Sequence, residues 1–250
     1  MTADRIRATS FSRLKEYREC PLKAKLKFVL KVEDPRPPLP EGQEHPLDRG
    51  SRIHELAENV VRYGCDGPFP KELEKFQPRL ERLRELYVDG RAYTEMPIAM
   101  DENWKQSDPR DFENTVYRMI ADMVVVVEPA HYLIIDYKTG RKDGNEVVHT
   151  QQGIEYLSAF ALTHPDIQRF QFEAWYLDKG EILPTITFSR HELSTHIKSF
   201  MESHKEMRDA RYFPPTPSMQ ACLFCPFKKG DVGRGKNSYA GTGHCDRNAN

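Results

Sequence analysis

The spacing of apolar residues predicts helices in the first third of the chain. Within residues 10–30 and 51–63, apolar side chains recur every three or four positions, as they do in amphipathic helices. Residues 71–87 show the same spacing, with a restart at Pro78, where the missing N–H costs little. The prolines of residues 34–48 predict a linker between the first two of these helices.

Strand-like and helix-like segments alternate in the rest of the chain. β-Rich runs cover residues 91–100, 116–127 and 132–138, and Pro129 marks a turn between the last two. The remaining predicted elements are a helix over residues 150–162, a hairpin of residues 170–177 and 181–188, and a helix from a capping box at Ser189 to about Arg211. This order predicts an α/β fold with a mixed central β-sheet flanked by helices.

The composition is typical of a polar globular protein. Of the 250 residues, 38% are hydrophobic and 30% are charged, and the mean hydropathy is −0.70. No apolar run approaches the ~20 residues that a membrane helix needs, and the first residues lack the apolar core of a signal peptide. We therefore expect a cytoplasmic protein whose thiols are reduced.

Charge is distributed unevenly although the net charge is only −1. Residues 1–31 carry nine basic and three acidic side chains. A basic N-terminal helix over these residues suits the phosphate backbone of a nucleic acid. A solvated helix face would have the same composition, so charge alone leaves both interpretations open.

Two acids and one lysine near the predicted hairpin are the candidate chemistry. Asp136 and Lys138 stand two residues apart in a strand, so their side chains project to the same side. If the chain reverses near Pro129, Asp122 lies opposite Asp136. Paired carboxylates favour a divalent cation such as Mg²⁺, and with a lysine beside them they could hydrolyse a phosphodiester. Considered alone, the triplet would more often be a structural ion pair at a strand end.

The surrounding motifs resemble those of a known family. They are similar to the PD-(D/E)XK nuclease superfamily in its RecB-like exonuclease branch, which includes CRISPR-associated RecB-like and phage exonucleases. The matching motifs occur in the family's order: the opening helix at residues 10–22, the G-x-x-x-H of Gly50 to His54, the first acid Asp122, the D-x-K of Asp136 to Lys138, and the Q-x-x-x-Y of Gln152 to Tyr156.

The resemblance implies a restriction-endonuclease-like core and a single nuclease domain over residues 1–250. The implied activity is that of a metal-dependent deoxyribonuclease, an exonuclease acting on single-stranded or end-exposed DNA. The implied ligands of Mg²⁺ or Mn²⁺ are His54, Asp122, Asp136 and the main-chain carbonyl of Tyr137. Lys138 would be the catalytic lysine, and Gln152 and Tyr156 would contact the cleaved strand. Glu95, in the preceding strand, is a further candidate acid.

The cysteines suggest a second metal site. Cys222 and Cys225 form a C-x-x-C, which in a reducing compartment indicates metal or cluster binding more than a disulfide. In the resembled branch, one cysteine of the opening helix and three near the C-terminus hold a 4Fe–4S cluster, which implies Cys20, this pair and Cys245. The sequence departs from that pattern because Cys245 follows Cys225 by twenty residues rather than a few.

Three interpretations of this cysteine set stay open. A cluster would join the basic N-terminal helix of residues 1–31 to the cysteine-bearing tail of residues 214–250. Zinc is the main rival, with His244 as an alternative ligand. In the third interpretation no metal binds and Cys20 is only packed. Cys65, in a glycine-rich stretch, is expected to be an unrelated loop thiol.

Other functions are compatible with parts of the sequence. The chain could be a catalytically silent DNA-binding subunit of a recombination or repair complex. Formation of an oligomer and binding of helicase or recombination partners also stay open. A thiol redox or zinc protein built on Cys222 and Cys225 would leave Asp136 and Lys138 without a role. The sequence does not distinguish exonuclease from endonuclease action, cleavage polarity, or DNA from RNA.

Overall fold

A six-stranded mixed sheet dominates the computed structural model, which describes residues 5–35, 39, 42–233 and 238–246. Its strands pair in the order β1-β2-β3-β4-β5, with β6 also beside β4. The strands are β1 Ala92–Met100, β2 Tyr117–Glu128, β3 His131–Lys138, β4 Arg169–Tyr176, β5 Glu181–Ile182 and β6 Ile186–Ser189. The β3 and β4 strands are parallel and the other pairings are antiparallel, which confirms the mixed α/β prediction.

Helices account for most of the remaining described chain. A π-helical turn, Lys25–Val29, follows α2, and a 3₁₀ helix, Lys71–Phe76, precedes α4. The α-helices are α1 Phe11–Glu19, α2 Pro21–Ala24, α3 Pro46–Tyr63, α4 Gln77–Val88, α5 Glu146–Thr163, α6 Arg190–Asp209 and α7 Met219–Leu223. Within the described residues, none of these helices is long and apolar enough to cross a membrane.

The chain divides into two compact units. One comprises residues 45–201 and contains the six-stranded sheet, and the other comprises residues 1–44 and 202–250. The second unit has its own small core, formed by Ile6, Leu14, Ala24, Met207 and Phe213. The predicted N-terminal helix and cysteine tail therefore belong to one unit. The prediction of a single nuclease domain over residues 1–250 stays a prediction.

Most predicted elements are present, but two helices begin earlier than their sequence pattern indicated. Instead of starting at Thr150, α5 starts at Glu146, and α3 starts at Pro46 inside the predicted linker. Proline is well placed there because the first helical position leaves its N–H unused in any case. The predicted second hairpin strand is broken at residues 183–185 into β5 and β6.

The two faces of the sheet have different roles. From β3, Ile135 and Tyr137 project into an apolar cluster with residues of α3 and α4. Alternation then points Asp136 and Lys138 to the other face. That face is covered by α5, the crossover helix joining the parallel strands β3 and β4, whose Gly153 packs on the ring of Phe172. Asp136 and Lys138 of β3 thus face α5, whose Gln152 bonds to both.

Gly153 allows α5 to approach β4 closely. A Cβ at this position would lie 2.2 Å from Phe172 Cδ1, and that ring is only 1% exposed. We expect Gly153→Val to lower the free energy of unfolding by about 3 kcal/mol, because the overpacked ring has no room to move. At ~2–4 °C per kcal/mol, the melting temperature should fall by roughly 6–12 °C in thermal unfolding. As a control, Gly67→Val places a Cβ where no atom lies within 4 Å, and an equal fall there would refute the packing argument.

Candidate active site

Asp122 and Asp136 are the residues just beyond the last pair of the β2–β3 ladder. The hairpin register pairs Met123 with Ile135, which places Asp122 opposite Asp136. The Asp122 carboxylate accepts a hydrogen bond from the Tyr137 main-chain N–H at 2.5 Å. Asp136 is 5% exposed. The two carboxylates are close enough for the Asp122 charge to raise the pKa of Asp136, and their role as joint metal ligands stays a prediction.

Lys138 is held by groups on both β3 and α5. Its ammonium forms an ion pair with Asp136 Oδ2 and donates a hydrogen bond to Gln152 Oε1 at 2.9 Å. The Gln152 amide in turn donates to the Tyr156 hydroxyl at 2.9 Å and, more weakly, to Asp136 Oδ1 at 3.4 Å. Gln152 and Tyr156 lie four residues apart on one face of α5, which is why both reach this network.

His54 reaches the site from α3. Its Nδ1 lies 3.4 Å from Asp122 Oδ1, and its ring meets the Tyr137 ring edge-on at a centroid distance of 5.8 Å. One turn earlier, a Cβ at Gly50 would stand 3.3 Å from Thr139 Oγ1. A side chain at position 50 would require Thr139 to shift by a few tenths of an ångström, so this glycine suits the close contact of α3 with the residue that follows β3.

Burial and neighbouring carboxylates shift the pKa values of the titratable groups in the site. Burial raises the pKa of Asp136 to about 6, with the Asp122 charge adding to the effect and Lys138 opposing it. Burial lowers the pKa of His54, but the hydrogen bond and charge of Asp122 outweigh it, so the pKa is raised overall. Burial and the charges of Asp122 and Glu58 also raise the pKa of Glu95. The charge of Asp122 thus contributes to the raised pKa of all three groups.

The donor set has the chemistry that a hard divalent cation requires. Carboxylate oxygens are preferred by Mg²⁺ and an imidazole nitrogen is accepted by Mn²⁺. Within the described part of the chain, no hydrogen-bond donor in good geometry reaches Asp136 Oδ2, although the Lys138 ammonium adjoins it. Among those residues, no three histidine, cysteine, aspartate or glutamate side chains are already arranged around a common metal position. Binding would therefore require Asp122 and Asp136 to exchange their present partners for the ion.

Gln152 and Tyr156 are buried parts of the hydrogen-bond network around Lys138. They are 8% and 9% exposed, and both are hydrogen-bonded within the network of Lys138. Burial and the nearby charge of Asp136 raise the pKa of Tyr156, so its hydroxyl keeps its proton. Contact of these two residues with a cleaved strand stays a prediction.

Asp178 and Arg49 are site neighbours that the sequence analysis missed. The Asp178 carboxylate accepts the main-chain N–H of Gly140, two residues after Lys138, and pairs with Arg49 of α3. A carboxylate in an Asp-Lys-Gly turn is an ordinary turn signal. Only the parallel register of β3 and β4 shows that it stands beside the end of β3.

Four cysteines line one small cavity in the other unit. They are Cys20, Cys222, Cys225 and Cys245. None of the five cysteines is in a disulfide, and Cys65 is exposed. Burial raises the pKa of the Cys225 thiol, and the neighbouring thiols of Cys20 and Cys245 add to this.

Main-chain hydrogen bonds place Cys245 beside the segment that follows Cys225, despite the long spacing. The Cys245 N–H donates to the Phe227 carbonyl at 2.7 Å, and the Cys245 carbonyl accepts from the Lys229 N–H at 2.8 Å. A short β-hairpin, β7 Asp231–Val232 and β8 Tyr239–Ala240, lies within the intervening segment. Gly241 is required there, since a Cβ would stand 2.3 Å from the Lys228 carbonyl oxygen. The four cysteines therefore line one cavity despite the long spacing, although within the described residues no three of them are already arranged around a common metal position.

Comparison with known proteins gives a family match over most of the chain. A model of the PD-(D/E)XK nuclease superfamily matches residues 8–229. Among solved structures, the chain is similar to a protein of Eubacterium rectale provisionally assigned as an exonuclease, at 14% identity and a TM-score of 0.48, with 84% of each chain covered. It is also similar to an alkaline exonuclease of Laribacter hongkongensis, at 11% identity and a TM-score of 0.34, covering 82% of this chain and 91% of that one. No curated protein sequence matched.

Proposed function

Because this chain belongs to the PD-(D/E)XK nuclease superfamily, we propose that it is a metal-dependent deoxyribonuclease that acts as an exonuclease on single-stranded or end-exposed DNA. The observation that carries the proposal is the convergence of Asp122, Asp136 and Lys138, joined by His54. The preference for DNA and for ends rests on the resemblance of the five motifs to the RecB-like branch.

The proposed ligands of Mg²⁺ or Mn²⁺ are His54, Asp122, Asp136 and the carbonyl of Tyr137. When bound, such an ion would supply a water of lowered pKa and neutralise charge on a phosphate oxygen. Asp136 favours this arrangement because its buried carboxylate, with a pKa raised to about 6, gains a counter-charge. His54 would add an imidazole nitrogen ligand from α3, so the ion would join α3 to β3.

Lys138 is proposed to act on the reacting phosphate. Its ammonium would stabilise the negative charge that develops as water attacks phosphorus and the sugar oxygen leaves. Gln152 accepts a hydrogen bond from this ammonium and so limits where it can point. Because Gln152 is itself held by Tyr156, the lysine would be oriented before substrate binds.

A substrate panel tests this function. Purified protein would be incubated with Mg²⁺ or Mn²⁺ and with linear single-stranded DNA, linear duplex, closed circular single-stranded DNA and RNA of the same sequence. We expect metal-dependent degradation of linear single strands and an intact circle. Cleavage of the circle would indicate an endonuclease. Tight DNA binding with no cleavage under any metal would support the catalytically silent subunit instead.

We further propose that Cys20, Cys222, Cys225 and Cys245 hold a 4Fe–4S cluster. The four cysteines that line one cavity match the ligand number of such a cluster. Within the same unit, the Leu22 N–H donates to the Pro214 carbonyl. The cluster would thus join two segments that already touch, and its role would be structural.

Metal analysis of cysteine variants tests the cluster. After anaerobic purification, the wild type should contain iron and acid-labile sulfide, and Cys225→Ser should lose both together with thermal stability. Cys65→Ser should keep both, because Cys65 is exposed and does not line the cavity. Stoichiometric zinc without sulfide would identify the rival site, and absence of either metal would remove the proposal.

A further inference from the structure

Asp178 continues the β3–β4 pairing beyond the point where the main-chain ladder ends. In the parallel register, Lys138 pairs with Tyr176, and the Leu177 N–H donates to the Lys138 carbonyl at 3.0 Å. Two residues after β3 ends, the Gly140 N–H donates to the Asp178 carboxylate instead of to a main-chain carbonyl, at 3.2 Å from each oxygen. One side chain thereby fixes the chain immediately after the catalytic lysine.

The same carboxylate also holds the helix that bears His54. Arg49, in the first turn of α3, donates from Nη1 to Asp178 Oδ2 at 3.2 Å. The Asp178 side chain is only 10% exposed, so solvent screens this pair less than an ordinary surface pair. The next residue, Gly50, lies against Thr139, so two adjacent residues of α3 contact Asp178 and the chain that follows β3.

The turn that contains Asp178 does not use this carboxylate for its own closure. The N–H groups of Lys179 and Gly180 both donate to the Tyr176 carbonyl. Asp101 provides the contrast, since its carboxylate accepts the N–H groups of Asn103 and Lys105 within its own loop. The bonds of Asp178 are made instead to β3 and α3, which carry the site.

We propose that Asp178 is a positioning residue for the metal site, acting by holding His54 on α3 in register with Asp136 and Lys138 on β3. This role rests on the proposed function of that site. Outer partners of metal ligands commonly change metal affinity by ~10–100-fold when they are removed. Asp178 contacts no proposed ligand directly and acts through α3 and β3, which carry the ligands.

Calorimetric titration with Mn²⁺ and steady-state cleavage of single-stranded DNA test the role. Asp178→Ala should weaken Mn²⁺ binding about tenfold and lower kcat, with KM for DNA unchanged. Asp178→Asn keeps an acceptor for Gly140 but sets an amide NH2 against the Arg49 guanidinium, so it should lose affinity as Arg49→Met does. Arg49→Met should reproduce the affinity loss, and combining it with Asp178→Ala should add little, because both break one connection.

Asp101→Ala is the matched control, because it removes two main-chain hydrogen bonds without touching α3 or β3. It should lower thermal stability and leave Mn²⁺ affinity unchanged. If Asp178→Ala lowers only thermal stability, as this control does, the positioning role is wrong. If the wild type binds Mn²⁺ but cleaves no nucleic acid, the proposed function fails while the affinity pattern still decides the role of Asp178. If it binds no Mn²⁺, both proposals fall.

Discussion

Replacement of Lys138 by alanine should lower kcat by about 10³-fold. The ammonium is the cation that the protein itself places beside Asp136, and Gln152 keeps it oriented. Groups that stabilise developing charge in a transition state typically contribute about 10²–10³-fold to the rate. Single-turnover cleavage of end-labelled DNA at saturating Mn²⁺ measures the loss directly.

A neighbouring lysine provides the control for this prediction. Lys142 follows Lys138 by four residues and forms an ion pair with Glu181 outside the described network of the site. Lys142→Ala should retain near wild-type kcat. Lys138→Ala should still bind DNA in the presence of Ca²⁺, since the lost group acts mainly on the reacting phosphate. Equal activity of the two variants would remove Lys138 from the chemistry.

The metal-free protein should become more stable when Asp136 is replaced by asparagine. Because burial raises the pKa of this carboxyl to about 6, the folded state favours its protonated form. The stability gained from protonated Asp136 is fully present below a pH of about 4, where the carboxyl is protonated in the unfolded chain too. It is lost as the pH rises through about 6. At pH 8 in EDTA, Asp136→Asn should therefore raise the free energy of unfolding by roughly 1–3 kcal/mol, or the melting temperature by roughly 2–12 °C.

The pH dependence separates this effect from a general change in packing. The gain in melting temperature should shrink towards zero as pH falls from 8 to 4, because the wild-type carboxyl then becomes neutral as well. Asp143→Asn, in an exposed turn, should show no such trend. The asparagine variant should also lose metal-dependent cleavage. A variant that is less stable than wild type at pH 8 would show that the ionised Asp136 is well accommodated without a metal.

Local rules predicted the elements that depend on short-range signals. The capping box at Ser189 does open α6, with Glu192 bonded back to the Ser189 N–H. The chain does reverse just after Pro129, between β2 and β3. The start of α5 was placed too late because Val147 and Val148 are β-branched and Thr150 is a favoured capping residue. In the added turn, the His149 ring contacts Tyr176 of β4, a long-range contact that no local rule predicts.

The candidate site shows the same division between local and long-range information. Strand alternation and one hairpin suffice to bring Asp122, Asp136 and Lys138 together. His54 entered only through the resemblance, because no local rule predicts how α3 packs on the end of β3. Asp178 was missed because its contact with Gly140 spans a crossover connection, and its significance depends on the register of two parallel strands.

The measurement that tests the central claim most directly is the anomalous diffraction of Mn²⁺ in crystals of Lys138→Ala soaked with the ion. The expected result is a peak within coordination distance of the Asp122 and Asp136 carboxylates and the His54 imidazole, absent from Asp136→Asn crystals treated in the same way. A protein that shows no peak there, or that binds Mn²⁺ only elsewhere, would contradict the assignment of this carboxylate pair as the metal centre of a nuclease.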